Sequence, residues 1–120
     1  MILYFRTMST YYSIRISTIF SNYQEVSKIL NVQPLTYANG WIYEVITKED
    51  DPYFNFIEEF LKILDGKFDE LKKINIIRDD ISFWMIYEYR GQCNMEFNPI
   101  ELAKLGNSGI SLCISCYEVP

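Results

Sequence analysis

From Tyr11 onward the chain alternates. Tyr12, Ile14 and Ile16 point one way, and Ser13, Arg15 and Ser17 the other, which predicts a strand with one buried face. Ser21-Asn22 ends that strand and caps a short helix whose apolar side is Val26, Ile29 and Leu30. Asn31 to Gly40 reads as a loop, punctuated by Pro34 and Asn39-Gly40. In Trp41–Thr47 both alternating sets, Trp41/Tyr43/Val45 and Ile42/Glu44/Ile46, are fairly apolar, so this second strand is expected in a covered, central position. Lys48-Glu49-Asp50-Asp51 forms a charged turn, with Asp51 placed to cap and Pro52 to open a helix. Ile57, Phe60 or Leu61, Leu64, Phe68 and Leu71 then keep helical spacing over about five turns. Gly66 breaks or bends this element, so two shorter helices also fit.

After the turn Arg78-Asp79-Asp80, Ile81–Arg90 is the longest predicted strand, with Ile81, Phe83, Met85, Tyr87 and Tyr89 on one face. Gly91 is expected to turn it into a hairpin partner, Gln92–Phe97. Asn98 then caps a helix, Pro99 opens it, and Glu101 stands where a capping-box carboxylate reaches back to the cap. Gly106-Asn107-Ser108-Gly109 stops this helix, and the last strand runs from Ile110 to about Glu118. Asn22…Glu25 echoes Asn98…Glu101, although Asn-x-x-Glu is also a generic cap.

The expected fold class is α+β in the order β-α-β-α-β-β-α-β. A right-handed crossover in each half would give a ferredoxin-like, split β-α-β sheet with helices on one face and an acidic central helix. The chain reads as one domain over residues 1–120, with residues 1–10 either a frayed end or an extra lead-in to the first strand.

Composition narrows the function classes. In 120 residues the hydrophobic share is 49 % and the aromatic share 17 %, enough for one core without staples. Three cysteines without framework spacing suggest reduced thiols. Met1–Arg6 lacks a basic leader region and no stretch reaches membrane-spanning length, so a cytoplasmic location is expected. The net charge of −5 argues against direct nucleic-acid binding. Residues 44–80 hold 11 of the 16 acids and 6 of the 11 bases, so this segment carries the whole imbalance.

The absence of histidine removes Ser-His-Asp and Cys-His nucleophiles in their usual form, and histidine metal ligands. Cys113-Ile114-Ser115-Cys116 matches C-x-x-C by letter but falls in an alternating strand, where residues three apart face opposite sides; core cysteines are expected, with Cys93 alone. No glycine pattern matches a phosphate loop, and no cofactor or metal is expected. Asp50-Asp51, Glu58-Glu59, Asp69-Glu70 and Asp79-Asp80 could supply a glycosidase or Mg²⁺ site, but fit a solvated face better. Asp69 and Lys73 have the spacing of a helix-supporting ion pair. Glu88 and Arg90 share a strand face with Trp84, and Glu96 lies across the expected hairpin; these read as a wet sheet face with a cross-strand ion pair, or as a polar patch for a partner or ligand.

Tyr12-Ser13-Ile14 entering a capped helix, then Lys28-Ile29-Leu30…Pro34, resembles the start of a small bacterial domain-of-unknown-function family. Phe97-Asn98-Pro99-Ile100-Glu101-Leu102, a glycine-punctuated loop, Ile110-Ser111-Leu112 and Cys116-Tyr117 resemble its close. The resemblance covers most of Tyr11–Glu118 and implies a single α+β domain without catalytic residues. Because such short proteins often sit beside polymorphic toxin genes, it further implies an immunity protein that binds a cognate toxin. On that reading Glu49, Asp50, Asp51, Glu58, Glu59, Asp69 and Glu70 are the expected contacts, since acidic patches speed association with basic nucleases. The alternative is a small-ligand or regulatory module with a pocket near Trp41, Trp84 and Tyr87 on an aromatic sheet face. A carboxylate-dependent enzyme would need two acids converging in one cleft.

Overall fold

The computed structural model describes residues 7–36 and 38–120, so residues 1–6, most of the ambiguous lead-in, lie outside the described residues. The alternation beginning near Tyr11 forms β1 (Ser9–Ile16). A single 3₁₀ turn follows, then α1 (Tyr23–Leu30), which buries Val26, Ile29 and Leu30 and ends on Asn31 in the left-handed conformation that asparagine tolerates. β2 (Trp41–Lys48), α2 (Phe56–Leu64) and α3 (Phe68–Lys72) come next. Gly66, at φ +73°, makes the break that splits α2 from α3. β3 (Ile81–Tyr89), α4 (Pro99–Ser108) and β4 (Ser111–Glu118) complete the chain.

Among the described residues the result is a mixed α+β fold with four helices and one open four-stranded sheet, ordered β2-β1-β3-β4. β1 pairs antiparallel with β2 and β3, and β3 pairs parallel with β4. The registers stack Tyr43, Ile14, Phe83 and Leu112 in one row, with Val45, Tyr12, Met85 and Ile114 in the next. The helices pack on this face, and Phe60 of α2 sits at its centre, fully buried. Its ring meets Phe83 at 5.3 Å and Phe54 at 6.0 Å, edge to face, the arrangement that the ring quadrupoles favour. Burying such a side chain contributes about 1.5–3 kcal/mol, before those contacts are added. The other face carries Tyr11, Arg15, Ile46, Trp84, Ile86 and Cys113, none of which belongs to that core.

Five expectations fail for identifiable reasons. β2 is an edge strand, not a central one: Ile42 and Ile46 lie on the helix-free face, and the Leu35 amide donates to the Ile42 carbonyl (2.8 Å) along the outer edge. Gln92–Phe97 forms no strand, because β1 and β4 already occupy both edges of β3; Met95 and Phe97 pack against the core instead.

The first half is not a crossover. Ile16 lies opposite Trp41, so β1 ends where β2 begins and the pair is antiparallel; α1, about 12 Å long, does not carry the chain back along the sheet. Only β3-α4-β4 returns to a parallel strand, and β4 lies directly beside β3, so one half forms a crossover and neither forms the expected split β-α-β order.

The capping devices also differ from each other. Asn98 Oδ1 accepts from the Ile100 amide (2.8 Å), as a cap should, but Glu101 turns away to Asn55. Asn22 makes no side-chain cap and instead donates from Nδ2 to Thr18 Oγ1 and to the Ile74 carbonyl. The echo between the halves is therefore not a repeated capping box. Asp51-Pro52 does not open α2; Asn55 caps it.

Candidate functional site

The site is built where β2 ends. The Lys48–Asp51 turn closes on itself: the Asp51 amide donates to the Lys48 carbonyl (2.9 Å), and Asp51 Oδ2 accepts from the Lys48 amide (2.7 Å). The Glu49 amide donates to the Met8 carbonyl (3.2 Å), which ties the turn to the start of β1. Glu49 and Asp50 are left projecting into water.

Three residues after Asp51, Phe54 turns inward, 5.3 Å from the Tyr12 ring, and its neighbour Tyr53 is left outward and 80 % exposed. Asn55 then works in both directions. Its Oδ1 accepts from the Glu58 amide (3.2 Å) and caps α2, while its Nδ2 donates to Glu58 Oε2 (3.2 Å) and to Glu101 Oε1 (2.6 Å). One amide thus clasps carboxylates from the first turns of α2 and α4, where helix dipoles favour negative charge.

Tyr53 stands between two hollows. One, of about 230 Å³, brings it together with Glu49, Asp51 and Glu88; the other, of about 390 Å³, with Glu96 and Glu101. Tyr12 lines the first hollow, and its phenol is raised above its ordinary value, mainly by burial, against the opposing hydrogen bond with Thr47. Glu88 is buried: Oε1 accepts from the Ser9 amide (2.9 Å), and Lys48 Nζ donates to Ser9 Oγ (2.9 Å). Ser9 thus joins β1 to β3 through Glu88 and to β2 through Lys48, and Glu88 is not a charge on a wet sheet face. Arg90 Nε donates to the Pro120 carbonyl (3.1 Å).

Of the seven expected contacts, Glu49 and Asp51 line the hollow beside Tyr53 with Asp50 between them in the chain, whereas Glu58 and Glu59 stand in the first turn of α2 and Glu58 lines a separate hollow with Lys62 and Lys104. Glu59 also meets Lys62 at 3.5 Å. Asp69 and Glu70 do not join them. They begin α3, and Asp69 shares a hollow with Arg78 and Asp79 just before β3, at the opposite end of strands about 25 Å long. Asp69 and Lys73 make no ion pair among the described residues; α3 stops at Lys72. Charge counting misses Tyr53, Glu96 and Glu101. The only local hint is Tyr53 itself, an aromatic among inward-facing phenylalanines.

A second hollow region lies at the far end of β1. There the Arg15 guanidinium stacks over the Trp84 ring at 4.2 Å, and Trp84 Nε1 donates to Ser82 Oγ (2.9 Å). The cavity beside them, about 470 Å³, is also lined by Tyr23, Trp41, Asp79 and Asp80. Trp41 and Trp84 approach it from opposite faces of the sheet, and Tyr87 is not part of it. Trp41 is buried and donates from Nε1 to Ser27 Oγ (3.0 Å).

The cysteines are not core residues. Cys113 is half-buried on the helix-free face; Cys116 is exposed on the other, with Cys93 Sγ 3.7 Å away. Cys93 is not alone. Its thiol is raised by desolvation, then by its hydrogen bond with Cys116 and the charge that Cys116 can carry. No group of three or more Cys, Asp and Glu that could hold a metal occurs among the described residues. Among them, too, no helix is long and apolar enough to cross a membrane. Comparison with protein-family models, curated proteins and solved structures finds no match.

Proposed function

We propose that this chain is a non-enzymatic, cytoplasmic binding protein of the immunity type, which neutralises a cognate bacterial toxin domain by direct contact. The observation that carries this reading is Tyr53, exposed between two acid-lined hollows. A rigid aromatic ring contributes contact area at low entropic cost, and surrounding carboxylates select a basic partner. A toxin that acts on nucleic acid must present a basic site, so it is a natural counterpart. The contact set is then Tyr53 with Glu49, Asp50, Asp51, Glu58 and Glu59, extended by Glu96 and Glu101; Asp69 and Glu70 form a separate patch. The reading needs no cofactor, no membrane and no direct nucleic-acid contact.

The test is whether the adjacent gene encodes a large secreted protein with a variable C-terminal domain, and whether that domain co-purifies with this chain. Reversing Glu49, Asp50 and Asp51 to lysine should slow association and weaken its salt dependence, because steering acts through long-range charge. Unchanged association would remove this turn from the interface.

A second reading rests on the Arg15–Trp84 stack beside the larger cavity: a small-ligand or regulatory module. A ligand seated there should alter tryptophan fluorescence, and Trp84→Phe should reduce the change to what Trp41 alone reports. A metabolite screen that leaves the emission untouched counts against it.

A further inference from the structure

We propose that Cys93 and Cys116 form a redox-active dithiol, which a low-molecular-weight disulfide such as oxidised glutathione converts into an intramolecular bridge. Sγ to Sγ is 3.7 Å in the thiol form, close enough for a side-chain rotation to bring the sulfurs to bonding distance, about 2.05 Å. The two come from different structures. Cys93 lies on the irregular segment after Gly91, and Cys116 is near the end of β4, an edge strand among the described residues. Neither is locked in the core, so the rotation disturbs no packing. Cys113, three residues earlier on the same strand, faces the other side and serves as an internal control.

The chemistry balances by exchange. The Cys116 thiolate, the more exposed, attacks one sulfur of oxidised glutathione and releases one glutathione thiolate. The Cys93 thiolate then attacks the Cys116 sulfur and displaces the second glutathione. Two protein thiols are oxidised and one small disulfide is reduced to two thiols, the two protons lost by the protein thiols going to the two glutathione thiolates. The raised Cys93 thiol fits its role as the resolving partner, since its thiolate is needed only after Cys116 has been captured. The bridge ties the segment that carries Glu96 to β4 and encloses α4 with Glu101. The inference does not depend on the binding reading.

The experiment equilibrates the full reduced chain with glutathione buffers of rising oxidised fraction, then alkylates free thiols and maps them by mass spectrometry. The expected product is a monomer lacking two hydrogens, with a Cys93–Cys116 cross-linked peptide and Cys113 still alkylated. Cys113→Ser should form the same bridge. Cys93→Ser should lose it and hold glutathione on Cys116 instead. Stable glutathione adducts on the wild type without a bridge, bridging through Cys113, or disulfide-linked dimers as the main product would each overturn the proposal.

Discussion

Asn55→Ala should destabilise the chain by about 2 kcal/mol. Loss of the α2 cap, where Oδ1 meets the Glu58 amide, costs about 1 kcal/mol. Loss of the Nδ2 bonds to Glu58 and Glu101 removes charge-assisted contacts that would be worth ~1.5–3 kcal/mol if buried. Asn55, Glu58 and Glu101 are only half-buried, and water replaces part of what is lost, so about 1 kcal/mol is the appropriate share. With a urea m-value of about 2 kcal/mol/M, the midpoint should fall by about 1 M at unchanged slope. Asn55→Asp separates the two parts. It keeps an acceptor for the cap but places a third carboxylate beside the other two. Its penalty should therefore shrink in 1 M salt, where the screening length falls to about 3 Å. Urea denaturation followed by far-ultraviolet circular dichroism measures both. A midpoint for Asn55→Ala within about 0.2 M of wild type would refute the clasp, given the m-value above. So would an Asn55→Asp chain as stable as wild type at low salt.

Three further outcomes are expected. Phe60→Ala should cost about 3–5 kcal/mol, a large part of a typical domain's stability, because a fully buried ring in contact with Phe54, Phe56 and Phe83 leaves a cavity; a loss under about 1.5 kcal/mol in the same urea assay would contradict the packing. Asn98→Ala should cost about 1 kcal/mol through the Ile100 amide, with Asn98→Asp close to wild type; equal stability of the alanine variant would deny Asn98 its capping role. Tyr12→Phe should flatten the alkaline limb of the stability curve. The folded state raises the Tyr12 phenol, so it binds more protons than the unfolded chain; that contribution is intact below about pH 10 and lost as pH rises through the higher folded value. Stability measured from pH 8 to 12, falling as steeply in the variant, would assign the alkaline loss to other tyrosines.

What was legible in the sequence was local. The alternation of Tyr12, Ile14 and Ile16, the face of Ile81, Phe83 and Met85, and the break at Gly66 all depend on neighbours in the chain, and the structure agrees with them. The failures are non-local. Met95 and Phe97 have strand-like spacing, but no free edge of β3 remains to receive them. Ile42 and Ile46 read as buried because an uncovered apolar sheet face has the same alternation as a covered one. Glu101 has the spacing of a capping box, yet its partner Asn55 is 46 residues away. Cys93 meets Cys116 across 23 residues, a proximity no local spacing announces. The acidic imbalance pointed to residues 44–80 as one patch, but Gly66 and α3 carry Asp69 and Glu70 to the far end of the sheet. Tyr53 had no charge by which to be counted.

The central claim is that Tyr53 and its ring of carboxylates form the binding surface. It is tested most directly by the kinetics of association with the cognate toxin domain that the proposal requires, comparing wild type with Tyr53→Ala. Tyr53 is exposed and makes no core contact, so its removal should leave the urea midpoint unchanged. Loss of an aromatic anchor of about 2 kcal/mol should speed dissociation roughly thirty-fold. A complex that dissociates at the wild-type rate, or a toxin domain that never binds the wild-type chain, would contradict the account.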